Sequence, residues 1–129
     1  MSKCTWGIIL LRGEHMRKIT RKISEAFVED RYLCMSNTKA YGHALYLFGN
    51  NIAYIIGDTL YLTFAGWPTQ TTRERLNGLL IVISTKYKWK HCPGFFQTNY
   101  TQYFEHAGST RVVGSREILA LNLKDGNLI

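Results

Sequence analysis

Ala44-Leu45-Tyr46-Leu47-Phe48, Ile52-Ala53-Tyr54-Ile55-Ile56 and Leu60-Tyr61-Leu62-Thr63-Phe64-Ala65 are three short apolar runs, broken by Gly49-Asn50-Asn51 and again at Gly57-Asp58. Runs of this length, rich in β-branched and aromatic residues and bounded by residues that accept a positive φ, read as strands joined by tight hairpins. The stretch predicts an antiparallel three-stranded meander. With two-residue turns at Asn50-Asn51 and Gly57-Asp58, Phe48 falls opposite Ala53 and Ile55 opposite Leu60. Tyr46, Phe48, Ala53, Ile55, Leu60, Leu62 and Phe64 then share a face apolar enough to be the core side. Leu45, Leu47, Ile52, Tyr54, Ile56, Tyr61 and Thr63 share the other, which is too apolar to be fully wet and so is covered or binds something. Tyr54 and Tyr61 are candidate partner-binding residues there.

Upstream, Ile19, Ile23, Ala26 and Phe27 recur at helical spacing and predict an amphipathic helix over about residues 16–31. Its charges run against the helix dipole: Arg17, Lys18, Arg21 and Lys22 come first, Glu25, Glu29 and Asp30 last. That order costs a few tenths of a kcal/mol per exposed group. Ser36 to Gly42 reads as a polar connection.

Downstream, Gly66-Trp67-Pro68 ends the third strand, and Thr71-Thr72-Arg73-Glu74 reads as a capping box that opens a short helix. Leu76 supplies its buried side and Asn77-Gly78 its expected left-handed stop. Leu79–Ser84 and Lys86–Lys90 then read as strands, the second alternating Lys86, Lys88 and Lys90 against Tyr87 and Trp89. In the last third, Phe96, Tyr100, Tyr103 and Phe104 fit a helical stripe ending near Gly108. Arg111–Val113 and Ile118–Leu123 suggest a closing hairpin around Gly114-Ser115. The fold class expected is α+β: an N-terminal helix packed on the meander, a short capped helix, and further strands.

The 129 residues carry 16 Lys plus Arg against nine Asp plus Glu, a net charge of +7. One domain over residues 1–129 is expected, and polyanions are the first partners to consider. Cys4, Cys34 and Cys92 are an odd number with no CxxC pair, which predicts thiols in a reducing cytosol. Trp6–Leu11 is too short to span a bilayer and precedes no small-residue cleavage site, so neither membrane nor export is expected. Residues 1–15 differ in pattern from the remainder of the chain. Arg12-Gly13-Glu14 can be encoded by purine-rich codons that resemble a ribosome-binding site ahead of Met16, so translation is expected to start at Met16. An N-terminal strand that adds to the sheet is the other reading.

Ala44–Ala53, Leu60-Tyr61-Leu62, Ala65-Gly66-Trp67 and Thr71-Thr72-Arg73-Glu74-Arg75-Leu76-Asn77-Gly78-Leu79 together resemble a group of small accessory proteins encoded in tailed-phage genomes. The resemblance covers about Met16 to Lys90, and residues beyond about His91 depart from its pattern. It implies a source, and a start at Met16 agrees with it. It implies no activity.

Charge supplies the leading functional candidate. Arg17, Lys18, Arg21 and Lys22 put four cations in six residues with no acid, and residues 73–90 hold Arg73, Arg75, Lys86, Lys88 and Lys90 against Glu74 alone. Such clusters, interleaved with Tyr87 and Trp89, suit a nucleic-acid backbone, although a Lys ladder also protects a sheet edge. His43, His91, Cys92 and His106 match no zinc spacing, so no metal and no cofactor is expected. There are no paired carboxylates, phosphate loop or nucleophile elbow; Asp58 is assigned to its turn and Glu74 to its cap, and His43 and His106 remain as the only evident general bases. The protein is expected not to be an enzyme. Trp67, with Pro68 behind it, is a core plug if buried and a hot spot for a protein partner if exposed. The expected function is a non-enzymatic phage accessory protein of the host cytoplasm, acting in host takeover or anti-defence by binding nucleic acid or a host nucleoprotein complex. The alternative is a protein-directed inhibitor of a host defence or transcription factor, anti-CRISPR-like, whose positive charge meets an acidic host protein.

Overall fold

The computed structural model describes residues 16–129; the expectations on residues 1–15 lie outside them. Helix α1 (Lys18–Val28) is followed by strands β1 (Leu33–Met35), β2 (Thr38–Ala40), β3 (Ala44–Leu47), β4 (Asn50–Ile56) and β5 (Thr59–Leu62). Helix α2 (Gln70–Lys86) comes next, then β6 (Gly94–Thr98), β7 (Thr101–His106), β8 (Ser109–Val112) and β9 (Leu119–Asn122). The strands form a six-stranded antiparallel sheet in the order β1-β2-β3-β4-β5-β9 and a three-stranded sheet β6-β7-β8. The α+β class and the helix-then-meander order are as expected. Both helices pack on the larger sheet, and α2 also meets β6.

The meander is present, with its first turn displaced. Gly57-Asp58 closes β4–β5 and Ile55 pairs with Leu60, as expected. The β3–β4 turn is Phe48-Gly49, with Leu47 opposite Asn50 and Leu45, not Phe48, opposite Ala53. Both turn residues have positive φ, 51° and 82°, the geometry that matches the twist of the flanking strands. An odd slip reverses the faces of a strand. Leu45 and Leu47 are therefore buried at 1% and 4%, while Tyr46 faces outward and Phe48 is 71% exposed. Ile52 is the extra residue of a bulge between the pairs at Ala53 and Asn51, which lets Ile52 and Ala53 both face the core.

Several expectations are corrected. Ser36–Gly42 is not merely a connection, because β1 and β2 form a hairpin turning on Ser36-Asn37. Asn77-Gly78 does not end a helix and Leu79–Ser84 is not a strand; α2 continues to Lys86. Leu76, Leu79, Leu80 and Ile83 are fully buried at helical spacing, and that burial outweighs the β-branched run and the roughly 1 kcal/mol cost of a mid-helix glycine. Gly78 is where α1 crosses: a Cβ there would collide with Thr20 Cγ2. Asn77 docks the second sheet, its Nδ2 donating to the Phe95 carbonyl at 3.0 Å and its Oδ1 accepting the Phe95 N–H at 2.7 Å.

The helix cap is Thr69, whose hydroxyl accepts the Thr72 N–H at 3.2 Å, so Thr71 is not the capping residue. Glu74 turns instead to α1. The Thr20 hydroxyl donates to its carboxylate at 2.7 Å, and Arg75, 2% exposed, pairs with it and bonds Thr20 and Thr38 at 2.9 Å. In the last third, Phe96, Tyr103 and Phe104 lie on strands and Tyr100 on the β6–β7 turn, not on a helix. Arg111 and Val112 belong to β8, while Leu119–Asn122 crosses to pair with β5. The two segments form no hairpin. Glu117 tethers that crossover through Arg111 and the Gly114 N–H, which hold its carboxyl below the usual glutamate range, the backbone bond contributing most. Cys34 is free and exposed, and Cys92 is buried.

Candidate nucleic-acid interface

Helix α1 buries Thr20, Ile23, Ser24, Ala26, Phe27 and Val28, which leaves Arg17, Lys18, Arg21 and Lys22 together on the solvent side. The pairs 17/21 and 18/22 are one turn apart, so like charges are neighbours. No acid lies in the first turn and Arg17, at the N-cap, makes no side-chain cap bond. Among the described residues none of the four takes part in an ion pair, which falls instead to Arg31–Glu29, Arg75–Glu74, Arg111–Glu117 and Lys124–Asp58. Each feature disfavours the helix slightly, and Glu25, one turn beyond Arg21 and Lys22, recovers part of the cost.

Lys86, Lys88 and Lys90 do not form a strand ladder. Lys86 is the last residue of α2, where a cation suits the dipole, and its Nζ lies 5.9 Å from the centre of the Tyr87 ring. Lys88 has φ +55°, which turns the chain out of the helix. Trp89 is buried at 3%, and its indole N–H donates to the Leu123 carbonyl at 2.8 Å. The three lysines are exposed around this anchor and unpaired among the described residues.

The helix pair sets where these groups lie. Thr20 touches Glu74, Arg75 and the face of Gly78, and Met16 also reaches Gly78. The N-terminal end of α1, with Arg17, Lys18, Arg21 and Lys22, therefore crosses α2 near its middle. Lys86 lies eight residues past Gly78, or about 12 Å further along α2 at helical rise, and Lys88 and Lys90 follow it.

Arg73 and Arg75 are not in that group. Arg75 is an interior residue, committed to Glu74, Thr20 and Thr38. Arg73, near the opposite end of α2, donates to the Pro68 carbonyl at 3.3 Å, Gln97 Oε1 at 3.1 Å and Gln102 Oε1 at 2.9 Å. All three acceptors are neutral, and burial holds its pKa below the usual arginine value.

Trp67 is 60% exposed, so it is not a core plug. Together with Phe48 it lines a cavity of about 470 Å³ floored by Leu47, Ile52 and Phe64. Tyr54 and Tyr61 stack at 4.8 Å on the sheet face away from the helices, so the structure does not bring them together with Trp67. The site residue that sequence reading misses is Phe48, assigned there to the core; Gly49 beside it is the signal for a turn one step earlier. Of the two histidines, His106 Nε2 bonds the Gly126 carbonyl at 2.9 Å and His43 packs edge-on to Phe27. Among the described residues no three of His, Cys, Asp and Glu come together, and no helix is long and apolar enough to cross a membrane.

The family model for the Kyanoviridae Gp96 protein matches residues 16–121. The chain belongs to the Kyanoviridae Gp96 protein family. It is a phage protein. No curated protein and no solved structure matches it. The family match runs past His91, further than the sequence resemblance reaches, and takes in β6, β7 and β8. The nine candidate cations, with Phe48 and Trp67, lie inside it.

Proposed function

We propose that this Gp96-family chain is a non-enzymatic phage accessory protein of the host cytoplasm that binds nucleic acid, bare or within a host nucleoprotein complex, through the cationic N-terminal end of α1 and the cationic C-terminal end of α2. One observation carries the reading: seven exposed lysines and arginines at those two helix ends have no carboxylate partner among the described residues. Cations on one helix face, one turn apart, suit the repeating charge of a phosphate backbone, and each contact releases a counterion. Such contacts carry little sequence information, so weak sequence preference goes with them.

The test is a salt titration. The wild type is expected to bind unrelated duplexes with an affinity that falls steeply as salt rises. Replacing Arg17, Lys18, Arg21 and Lys22 with Gln is expected to weaken binding and flatten that slope, by roughly 0.9 for each phosphate that is no longer neutralised. Thermal stability should hold or rise, because like-charge neighbours and an adverse dipole are relieved. An unchanged slope would rule out α1 as the interface. A protein-directed inhibitor is the second reading, favoured by the exposed Trp67, and a wild type with no affinity for bare DNA or RNA would select it.

A further inference from the structure

Phe48 and Trp67 are two large aromatic side chains held in water by two different pieces of chain. Phe48 occupies a hairpin position with φ +51° and is 71% exposed. A bulky residue in the left-handed region costs on the order of 1 kcal/mol, Asn or Gly serves such a turn better, and exposure leaves the ring little packing in return. Trp67 is fixed in the β5–α2 connection, its N–H donating to the Phe64 carbonyl at 2.9 Å and its carbonyl accepting the Thr69 N–H at 2.8 Å, with Pro68 behind it. The two rings border one cavity of about 470 Å³, a size suited to a small ring system.

The chemistry of the cavity narrows its occupant. Its lining holds no charged residue, so an ionic group has no counter-charge inside, while Asn50 and Thr71 offer polar atoms to the edge of a ring. Charge lies next to residues that line the cavity. Arg73 is bonded to Pro68, next to Trp67, and to two glutamines, with no carboxylate on its guanidinium. Lys39 lines the shallow neighbouring depression that shares Phe48, and its Nζ lies 5.0 Å from the Tyr46 ring centre with no acidic partner among the described residues. A neutral planar ring carried on an anionic chain satisfies both the apolar interior and the cations beside it. An apolar side chain of a protein partner satisfies only the interior.

We propose that the cavity between Phe48 and Trp67 takes an unpaired nucleobase of a single-stranded nucleic acid, stacked on those rings, with the flanking phosphates meeting Lys39 and Arg73. The assignment rests on the nucleic-acid reading and deepens it. The cavity lies at the N-terminal end of α2 and Lys86 at its C-terminal end, about 25 Å apart along a 17-residue helix, with the cations of α1 beside the crossing at Gly78 between them. A short single strand spans that distance.

The test compares three probes of equal length: a labelled oligothymidylate, a strand of abasic sites with the same phosphates, and a duplex. The wild type should bind oligothymidylate about tenfold or more tighter than the abasic strand, as stacking of a base on an aromatic side chain supplies. Trp67→Ala and Phe48→Asn should each bring oligothymidylate down to the abasic level without altering the salt slope or duplex affinity, and Trp67→Phe should retain most of the preference. Phe48→Asn should melt no lower than the wild type, because Asn suits the turn, so loss of binding there is not loss of fold. Equal wild-type affinity for thymidylate and abasic strands, or variants that bind as the wild type does, overturns the cavity assignment and leaves the cationic helix ends standing. A wild type that binds none of the three probes overturns both.

Discussion

Gly78 shows how a residue can carry the opposite meaning from the one its type suggests. Asn-Gly after a helical run normally marks a stop, yet Asn77 bonds both backbone groups of Phe95 and Gly78 admits Thr20 of the crossing helix. Gly78→Ala should therefore destabilise the protein by roughly 1–3 kcal/mol through overpacking, even though Ala is the better helix former by about 1 kcal/mol. Adding Thr20→Ser removes the Cγ2 in the way and keeps the hydroxyl that serves Glu74 and Arg75, so the double variant should recover most of the loss in thermal melting. No recovery would mean that the close approach is not what places glycine there. Phe48 is illegible in the sequence for a related reason: an exposed aromatic in a left-handed turn contradicts residue preference, and preference is all that a single sequence offers.

At the scale of elements, the meander is legible because its turn residues and apolar runs agree with one another, and β4–β5 has the register they predict. Helix α2 is misread where local signals conflict. Gly78 and Ile81-Val82-Ile83 point to strand, while Leu76, Leu79, Leu80 and Ile83 at helical spacing point to a buried helix face, and burial decides. The capping signal is displaced by two residues, because Thr69, Thr71 and Thr72 all offer a hydroxyl and Glu74 can be read as the partner of a cap. Thr69→Ala should cost about 1 kcal/mol and Thr71→Ala much less, as measured by denaturant midpoints at constant slope. The reverse ranking would restore the capping box at Thr71. The second sheet is beyond sequence reading because β6–β7 turns on Asn99-Tyr100 and β7–β8 on Ala107-Gly108, and only the glycine announces its turn.

For the whole molecule, the clustering of charge is visible in the sequence but its partition is not. Nine cations stand out along the chain; the fold sends Arg75 inside, leaves Arg73 near the N-terminal end of α2, bonded to Pro68, and turns the other seven outward at the N-terminal end of α1 and the C-terminal end of α2. The adverse charge order of α1, acids late and bases early, is what concentrates positive charge at the start of that helix. The helix boundaries decide this, and a lysine ladder on a strand and a cluster around a helix C-terminus present the same residues in different geometries. Mapping amide chemical-shift changes as a short oligonucleotide is added would test the cationic helix ends directly. Shifts confined to residues 17–22 and 86–90, joined by Phe48 and Trp67 when the strand is single, are expected; an unperturbed α1, or shifts centred on Tyr54 and Tyr61 across the sheet, would contradict it.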